Sequence, residues 1–438
     1  MARLLSRAAD GAAPRCTFST MPARAHDESG SVGVVDTRHH DLSAPLELEA
    51  GASLPEVRIA YETYGTLAPD RGNVVLVCHA LSGDAHAAGW SADADAPTAL
   101  DGFKADDRGV KPRSGLGWWD GMIGPGKAFD TDRYFVVSTN LIGGCRGSTG
   151  PSSTSPATGR PYGGDFPVVT VADMVRAQRR FLQEALGIER LLAVAGGSLG
   201  GMQGLEWAVT HPEAVRGVVG IATTAALGAQ GVALNAVARN AIMSDPDWQG
   251  GHFYGTGRLP RAGIAVARQL GHITYLSGPA MEEKFGRRLQ EREDYSYTVD
   301  GADFEVESYL RHQGRAFADR FDANTYLTIS RALTYFDLAR AHGEGSLERA
   351  VAKLRAAVLL VSFSSDWLYP PRDAYRLEAA LRAGGRDVEH HELDTTYGHD
   401  SFLLEEARQT PMVRDFLARI AAAPVPAPDP AAARAGGS

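Results

Sequence analysis

The chain has 438 residues and a net charge of −9 at a pI near 5.8, a balance that argues against a general binder of nucleic acid or of an anionic membrane. At 44% hydrophobic it can bury a large core, and α/β folds of this length commonly build one core with an inserted cap. Its three cysteines, Cys16, Cys78 and Cys145, cannot form a disulfide framework, and two lie in expected core elements, so a reducing cytoplasm is the expected compartment.

In chain order, residues 1–45 carry Arg3, Arg7, Arg15 and Arg24 among serines and alanines, with no apolar stretch long enough for a signal h-region. They read as a flexible extension with a weak transit-peptide flavour, and Met21 offers an alternative start. Asn73 to Cys78 is a strong strand, followed by the loop His79 to His86. His79, Asp84 and His86 have metal-ligand chemistry, but ligands crowded on one short loop rarely close a site, so no metal is expected. Residues 87–117, with Asp93, Asp95, Asp101, Asp106, Asp107, Lys111 and Arg113, read as a surface insertion. The apolar run Leu191 to Ala195 predicts a strand, and Gly201 to Trp207 a helix; between them stands Gly196-Gly197-Ser198-Leu199-Gly200. Val215 to Ile221 predicts the next strand. Helical apolar spacing then recurs over Leu234 to Met243, Ile264 to Leu270, Met281 to Arg292, Glu307 to Phe321 and Thr325 to Phe336. Val358 to Ser362 and Val388 to Leu393 predict two late strands. The low-complexity end begins at Ala421, with 425–438 disordered. There is no internal repeat and no transmembrane run.

A serine on a tight turn between a strand and a helix is a nucleophile elbow, which needs small residues two positions either side because any Cβ there collides with neighbouring backbone. In a chain with 49 glycines the five-residue pattern arises by chance, so the flanking strand and helix carry the inference. Serine needs a base oriented by a carboxylate. Asp366 follows the Val358 strand and His399 the Val388 strand, in the order Ser, Asp, His, and in a parallel sheet all three converge at the carboxyl ends of the strands. Asp366 has an alternative reading as a cap for a helix starting near Pro370-Pro371. His390 and His391, on the last strand, read as structural. Backbone N–H groups of Leu199 and Leu81 are the expected oxyanion donors. The expected fold is therefore the α/β-hydrolase fold: a mostly parallel central sheet flanked by helices, with a core of 46–225 and 345–424 and a helical lid of 226–344 between late strands. Such a lid keeps water from an acyl ester.

Over residues 46–420 the chain resembles the homoserine O-acetyltransferases. The resemblance rests on Leu54 to Gly65, Cys78 to His86, Trp118-Trp119-Asp120-Gly121, Ile123-Gly124-Pro125-Gly126, Gly147 to Pro151, Asp165-Phe166-Pro167, the elbow through Gln203, and Gly271-His272-Ile273-Thr274-Tyr275. It implies an acyltransferase of methionine biosynthesis, cytoplasmic and homodimeric, with L-homoserine and acetyl-CoA as substrates, no bound cofactor, no nucleic-acid or membrane partner, and ping-pong acyl-serine chemistry on Ser198, Asp366 and His399. It also implies that Arg239 holds the amino-acid carboxylate and Asp400 the ammonium group, a pair that suits a zwitterion. Without the resemblance, Arg239 reads as a solvated helix arginine.

Two positions depart from the family: Ala236 stands where a Glu is usual, removing a partner for Arg239, and Leu199 where many members have Met. Succinyl-CoA users carry an arginine after the Asp-Trp pair; Leu368 stands there and offers no cation for a second carboxylate, which favours acetyl. Coenzyme A, itself polyanionic, would need local cations such as Arg146 or Arg160. Homoserine against serine as acceptor, an O-succinyltransferase, and a small-ester hydrolase on the same scaffold stay open; a catalytically dead binding module would need a broken triad.

Overall fold

A computed structural model describes residues 30–92 and 115–424. The expectations for Cys16, for most of the 1–45 extension and the 87–117 insertion, and for the 425–438 tail lie outside the described residues.

Eight strands form the central sheet: β1 (Arg38–Asp41), β2 (Arg58–Tyr64), β3 (Val74–Cys78), β4 (Phe135–Thr139), β5 (Leu191–Gly197), β6 (Val215–Ile221), β7 (Ala357–Phe363) and β8 (Val388–Leu393). They lie in the order β1-β2-β4-β3-β5-β6-β7-β8. From β4 through β8 every pairing is parallel, while β1 and β2 run antiparallel to their neighbours. The two middle strands, β3 and β5, are wholly apolar because both faces are covered: Val74, Leu76 and Cys78 of β3 point into one cluster, Val75 and Val77 into the other. At the two edges the sequences turn polar, Arg-His-His-Asp in β1 and Val-Glu-His-His-Glu-Leu in β8, which protects a strand left without a partner on one side.

Helices α1 (Val171–Leu186), α2 (Leu199–Thr210) and α10 (Pro371–Ala383) contribute to one covering layer, and α11 (Glu406–Ala422) to the other. Between β6 and β7 run α3 (Ala229–Met243), α4 (Arg261–Tyr275), α5 (Gly278–Lys284), α6 (Glu305–Arg320), α7 (Ala323–Tyr335), α8 (Leu338–Gly343) and α9 (Leu347–Val351). Packing divides this insertion. Ile242, Ile264, Phe317, Phe321 and Tyr326 form a cluster of their own, whereas Ile329, Leu333, Leu338, Leu347 and Val351 join the core under the sheet. The helix expected over Met281 to Arg292 stops at Lys284, because Gly286 turns left-handed (φ +49°) and its N–H closes back on Glu282 O at 2.8 Å. Among the described residues no helix is long and apolar enough to cross a membrane.

Candidate active site

β5 delivers the chain into Ser198 at φ 55°, ψ −118°, a left-handed conformation that costs a residue with a side chain on the order of 1–3 kcal/mol. The surroundings hold it there: Ser198 N–H donates to Ile221 O at 2.9 Å, and Thr223 Oγ1 donates to Ser198 O at 2.9 Å. Glycine is obligatory on either side, since a Cβ on Gly196 or Gly200 would stand 2.5 or 2.1 Å from the carbonyl oxygen of Cys78, where β3 ends beneath the turn. Leu199 begins α2, so its N–H is among those that the helix itself leaves without an acceptor.

Asp366 and His399 meet across the ends of β7 and β8, with His399 Nδ1 2.7 Å from Asp366 Oδ2 and both side chains buried. The other carboxylate oxygen, Oδ1, accepts from the N–H groups of Leu368 and Tyr369, each at 2.9 Å. α10 starts at Pro371 with Pro370 as its N-cap, so Asp366 folds its own turn and orients the imidazole instead of capping a helix. The imidazole lies between the rings of Tyr369, Phe402 and Tyr275, at centroid distances of 4.8, 5.6 and 6.1 Å. The turn that carries it is docked on the end of α4. A Cβ on Gly398 would come within 2.7 Å of Tyr275 O and Ser277 N, and Ser277 Oγ donates to Thr396 O.

Two cavities meet at Ser198, His399, Leu81 and Tyr275, which line both. The first also holds Trp118, Arg268, Asp400 and Phe402. The second is walled by Leu227, Leu234, Leu270, Leu333, Leu368 and Tyr369, and no Asp, Glu, Lys or Arg is among its described lining residues. Burial raises the Asp400 carboxyl above its usual range, and the neighbouring Asp366 adds to this against the opposing charges of His399, Arg268 and Lys284.

Leu81, Asp400 and Leu368 are thus brought beside Ser198, but Arg239 is not. Buried on α3, its Nη1 donates to Ser330 O at 3.2 Å and to Thr334 Oγ1 at 3.0 Å, behind the wall of the second cavity. Burial, with Arg331 nearby, lowers its pKa. Both partners lie on α7, which also explains how Ala236 is tolerated. The cation that shares a cavity with Ser198 is Arg268, whose guanidinium lies 5.6 Å from the Tyr275 ring centroid. Sequence reading missed Arg268 and Tyr369. A signal for the former was present: Arg268, Gly271 and Tyr275 fall at i, i+3 and i+7, one face of one helix, and two of them belong to the segment that carries the resemblance.

The loop after β3 is fixed by polar partners of different kinds. His79 Nε2 lies 3.1 Å from Asn140 Oδ1, Asp84 Oδ1 accepts the His86 N–H at 2.9 Å, and His86 Nδ1 lies 3.0 Å from the buried Glu62 carboxylate. Burial works to lower the His86 pKa, but Glu62 and the Gly115 carbonyl overcome it and raise the imidazole above its usual value. Among the described residues no group of three or more His, Cys, Asp or Glu could hold a metal ion. Cys78 and Cys145 are free thiols, and burial pushes Cys78 up to about 12.

A serine elbow and an Asp-His pair at the carboxyl edge of this sheet define an enzyme of the α/β-hydrolase class, and residues 73–406 match the family described as alpha/beta hydrolase fold. Within that class the chain belongs to the homoserine O-acetyltransferase family. It is 51% identical over 398 residues to the homoserine O-acetyltransferase of Solidesulfovibrio magneticus, covering 90% of this chain and 95% of that one. It is 49% identical over 407 residues to a homoserine O-succinyltransferase of Methylibium petroleiphilum, covering 93% and 98%. The crystal structure of homoserine O-acetyltransferase from Bacillus anthracis matches with a TM-score of 0.76 at 30% identity, over 87% of this chain and 97% of that one.

Proposed function

We propose that this chain transfers an acetyl group from acetyl-CoA to the hydroxyl of L-homoserine, a step of methionine biosynthesis, through an acetyl-serine intermediate. The observation that carries the reading is the cavity in which Arg268 and Asp400 flank Ser198. A free amino acid presents one carboxylate and one ammonium group, and a buried site that recognises it needs one cation and one anion. Arg268, in place of Arg239, takes the carboxylate in this reading, and Asp400 takes the ammonium group, whose charge favours the ionised carboxyl that burial disfavours.

His399 Nε2 accepts the Ser198 proton as Oγ attacks the thioester carbonyl. The tetrahedral oxyanion is held by the N–H groups of Leu81 and Leu199. Collapse expels the coenzyme A thiolate, which leaves with the proton from His399. The homoserine hydroxyl then gives its proton to His399 and attacks the acetyl-serine, and Ser198 Oγ leaves with that proton restored. Asp366 holds the imidazole tautomer with Nδ1–H toward itself and stabilises the imidazolium in both steps. No cofactor takes part; acetyl-CoA is a co-substrate.

The succinyl-transferring relative supports a second reading. Against it stands the second cavity, where Leu368 and its apolar neighbours would strand a distal carboxylate. The cytoplasmic compartment and the homodimer belong to the same reading; the exposed apolar side chains Val237 and Met243 on α3, with Val266 and Ile273 on α4, are suited to a second copy. CoA release measured with acetyl- or succinyl-CoA against homoserine, serine or water tests the reading. Acetyl-CoA with homoserine should be fastest; equal release with water would make the chain a hydrolase, and faster release with succinyl-CoA would reverse the donor.

A further inference from the structure

Tyr369 is buried and meets Asp366 and His399 with different parts of itself, beside Ser198 in the second cavity. Its backbone N–H donates to Asp366 Oδ1 at 2.9 Å. Its ring lies against the His399 imidazole, with centroids 4.8 Å apart and planes 35° apart. Its hydroxyl lies close to the Ser198 side chain, and both residues line the second cavity. Packing alone would explain a phenylalanine here, because the ring and the N–H do the structural work. The hydroxyl is the surplus. Burial pushes the phenol above its usual value, with the Asp366 charge adding to it, so it keeps its proton at working pH and is available as a donor.

Serine Oγ has one proton and two lone pairs. If the proton points to His399 Nε2 and one lone pair accepts from a phenol, the remaining pair is left for the carbonyl carbon. As the proton moves to His399, negative charge grows on Oγ, and a donor already in place gains strength because hydrogen bonds to ionised acceptors are roughly twice as strong as neutral ones. The same oxygen is the leaving group when homoserine attacks the acetyl-serine, so one donor serves both half-reactions.

We propose that Tyr369 is a further catalytic residue, whose hydroxyl donates to Ser198 Oγ, holds it in the attacking rotamer and carries part of the charge that develops on it in acylation and deacylation. The phenol keeps its proton throughout; the only proton transferred is the one exchanged with His399. This inference rests on the acyl-serine reading above.

Tyr369→Phe keeps the ring and the backbone N–H and removes the hydroxyl. Rapid-mixing measurement of CoA release should show acylation slowed about 10- to 100-fold, the range for loss of a hydrogen bond to a charged group. Deacylation of the isolated acetyl-enzyme by homoserine should slow by a similar factor, while KM for homoserine and the pH midpoint set by His399 stay unchanged. 3-Fluorotyrosine at position 369, a more acidic donor of nearly the same shape, should hold both rates at or above wild type. Intact-mass analysis of the wild type separates the two levels of the argument. Absence of an acetyl adduct removes the acyl-serine reading and this inference together. If the adduct forms, unchanged burst and deacylation rates in Tyr369→Phe, or slowing confined to the homoserine step, overturn the role of Tyr369 alone.

Discussion

The two cavities that meet at Ser198 differ in the property that matters most for recognition. One places a guanidinium and a carboxylate on its wall, Arg268 and Asp400; the other is walled mainly by leucines and tyrosines, with Asn235 and Thr274 among them, and its described lining includes no Asp, Glu, Lys or Arg. A buried charge is tolerated only where a partner of opposite sign arrives, so the first cavity is matched to a zwitterion and the second to a neutral group. In the proposed reaction an acyl group held on the second side waits for an acceptor positioned by the charged side, a division that favours transfer over hydrolysis.

The largest effect should come from the point that both cavities share. Ser198→Ala should lower turnover by several orders of magnitude and abolish the acetyl adduct while the fold persists; an adduct at wild-type stoichiometry by intact mass would remove Ser198 from the mechanism. Next is the charged side. Arg268→Ala leaves a substrate carboxylate unpaired, a loss of about 2–5 kcal/mol, so kcat/KM for homoserine should fall by about 30-fold to several-thousand-fold with the acylation burst nearly intact. Arg239→Ala should instead lower the melting temperature and change homoserine kcat/KM far less; the reverse ranking of the two arginines would return the carboxylate to Arg239.

On the apolar side, Leu368→Arg should raise the kcat/KM ratio of succinyl- over acetyl-CoA about 10- to 100-fold, the equivalent of about 1–3 kcal/mol for a charged hydrogen bond. An unchanged ratio in a folded variant would place the acyl group elsewhere. The smallest effect concerns the loop that brings Leu81 to both cavities. His86 is raised above its ordinary value of 6.5 by Glu62, so its contribution to stability is complete below about pH 6.5 and is lost as pH rises through the higher folded value. The melting-temperature gap between wild type and His86→Gln should therefore be widest near pH 6 and narrow toward pH 9. A gap constant with pH would mean that His86 acts as packing alone.

The elbow was legible in sequence because its constraints are local. Gly196, Ser198 and Gly200 sit within five residues between a strand and a helix, and each has a steric reason for being there. The strands were legible for a similar reason, since runs such as Val358 to Val361 suit a sheet covered on both faces. Asp366 and His399 were found because strand ends in a parallel sheet share one edge. Which arginine faces the serine was not legible. Arg239 and Arg268 both stand on helices of one insertion, and the orientation of those helices is set by contacts far apart in sequence, such as Ile242 and Ile264 with Phe317. Tyr369 escaped for another reason: a tyrosine beside a Pro-Pro helix start looks like core, and its hydroxyl gains meaning only once the turn has brought it against Ser198.

The docking of the Gly398 turn on Tyr275 and Ser277 has a consequence for how such enzymes acquire new substrates. The insertion and the turn that carries His399 interlock through backbone contacts too close for any side chain at position 398. A change in one must therefore be accommodated by the other. A lid grafted from a distant relative would have to bring the end of α4 with it, or the imidazole is presented out of register.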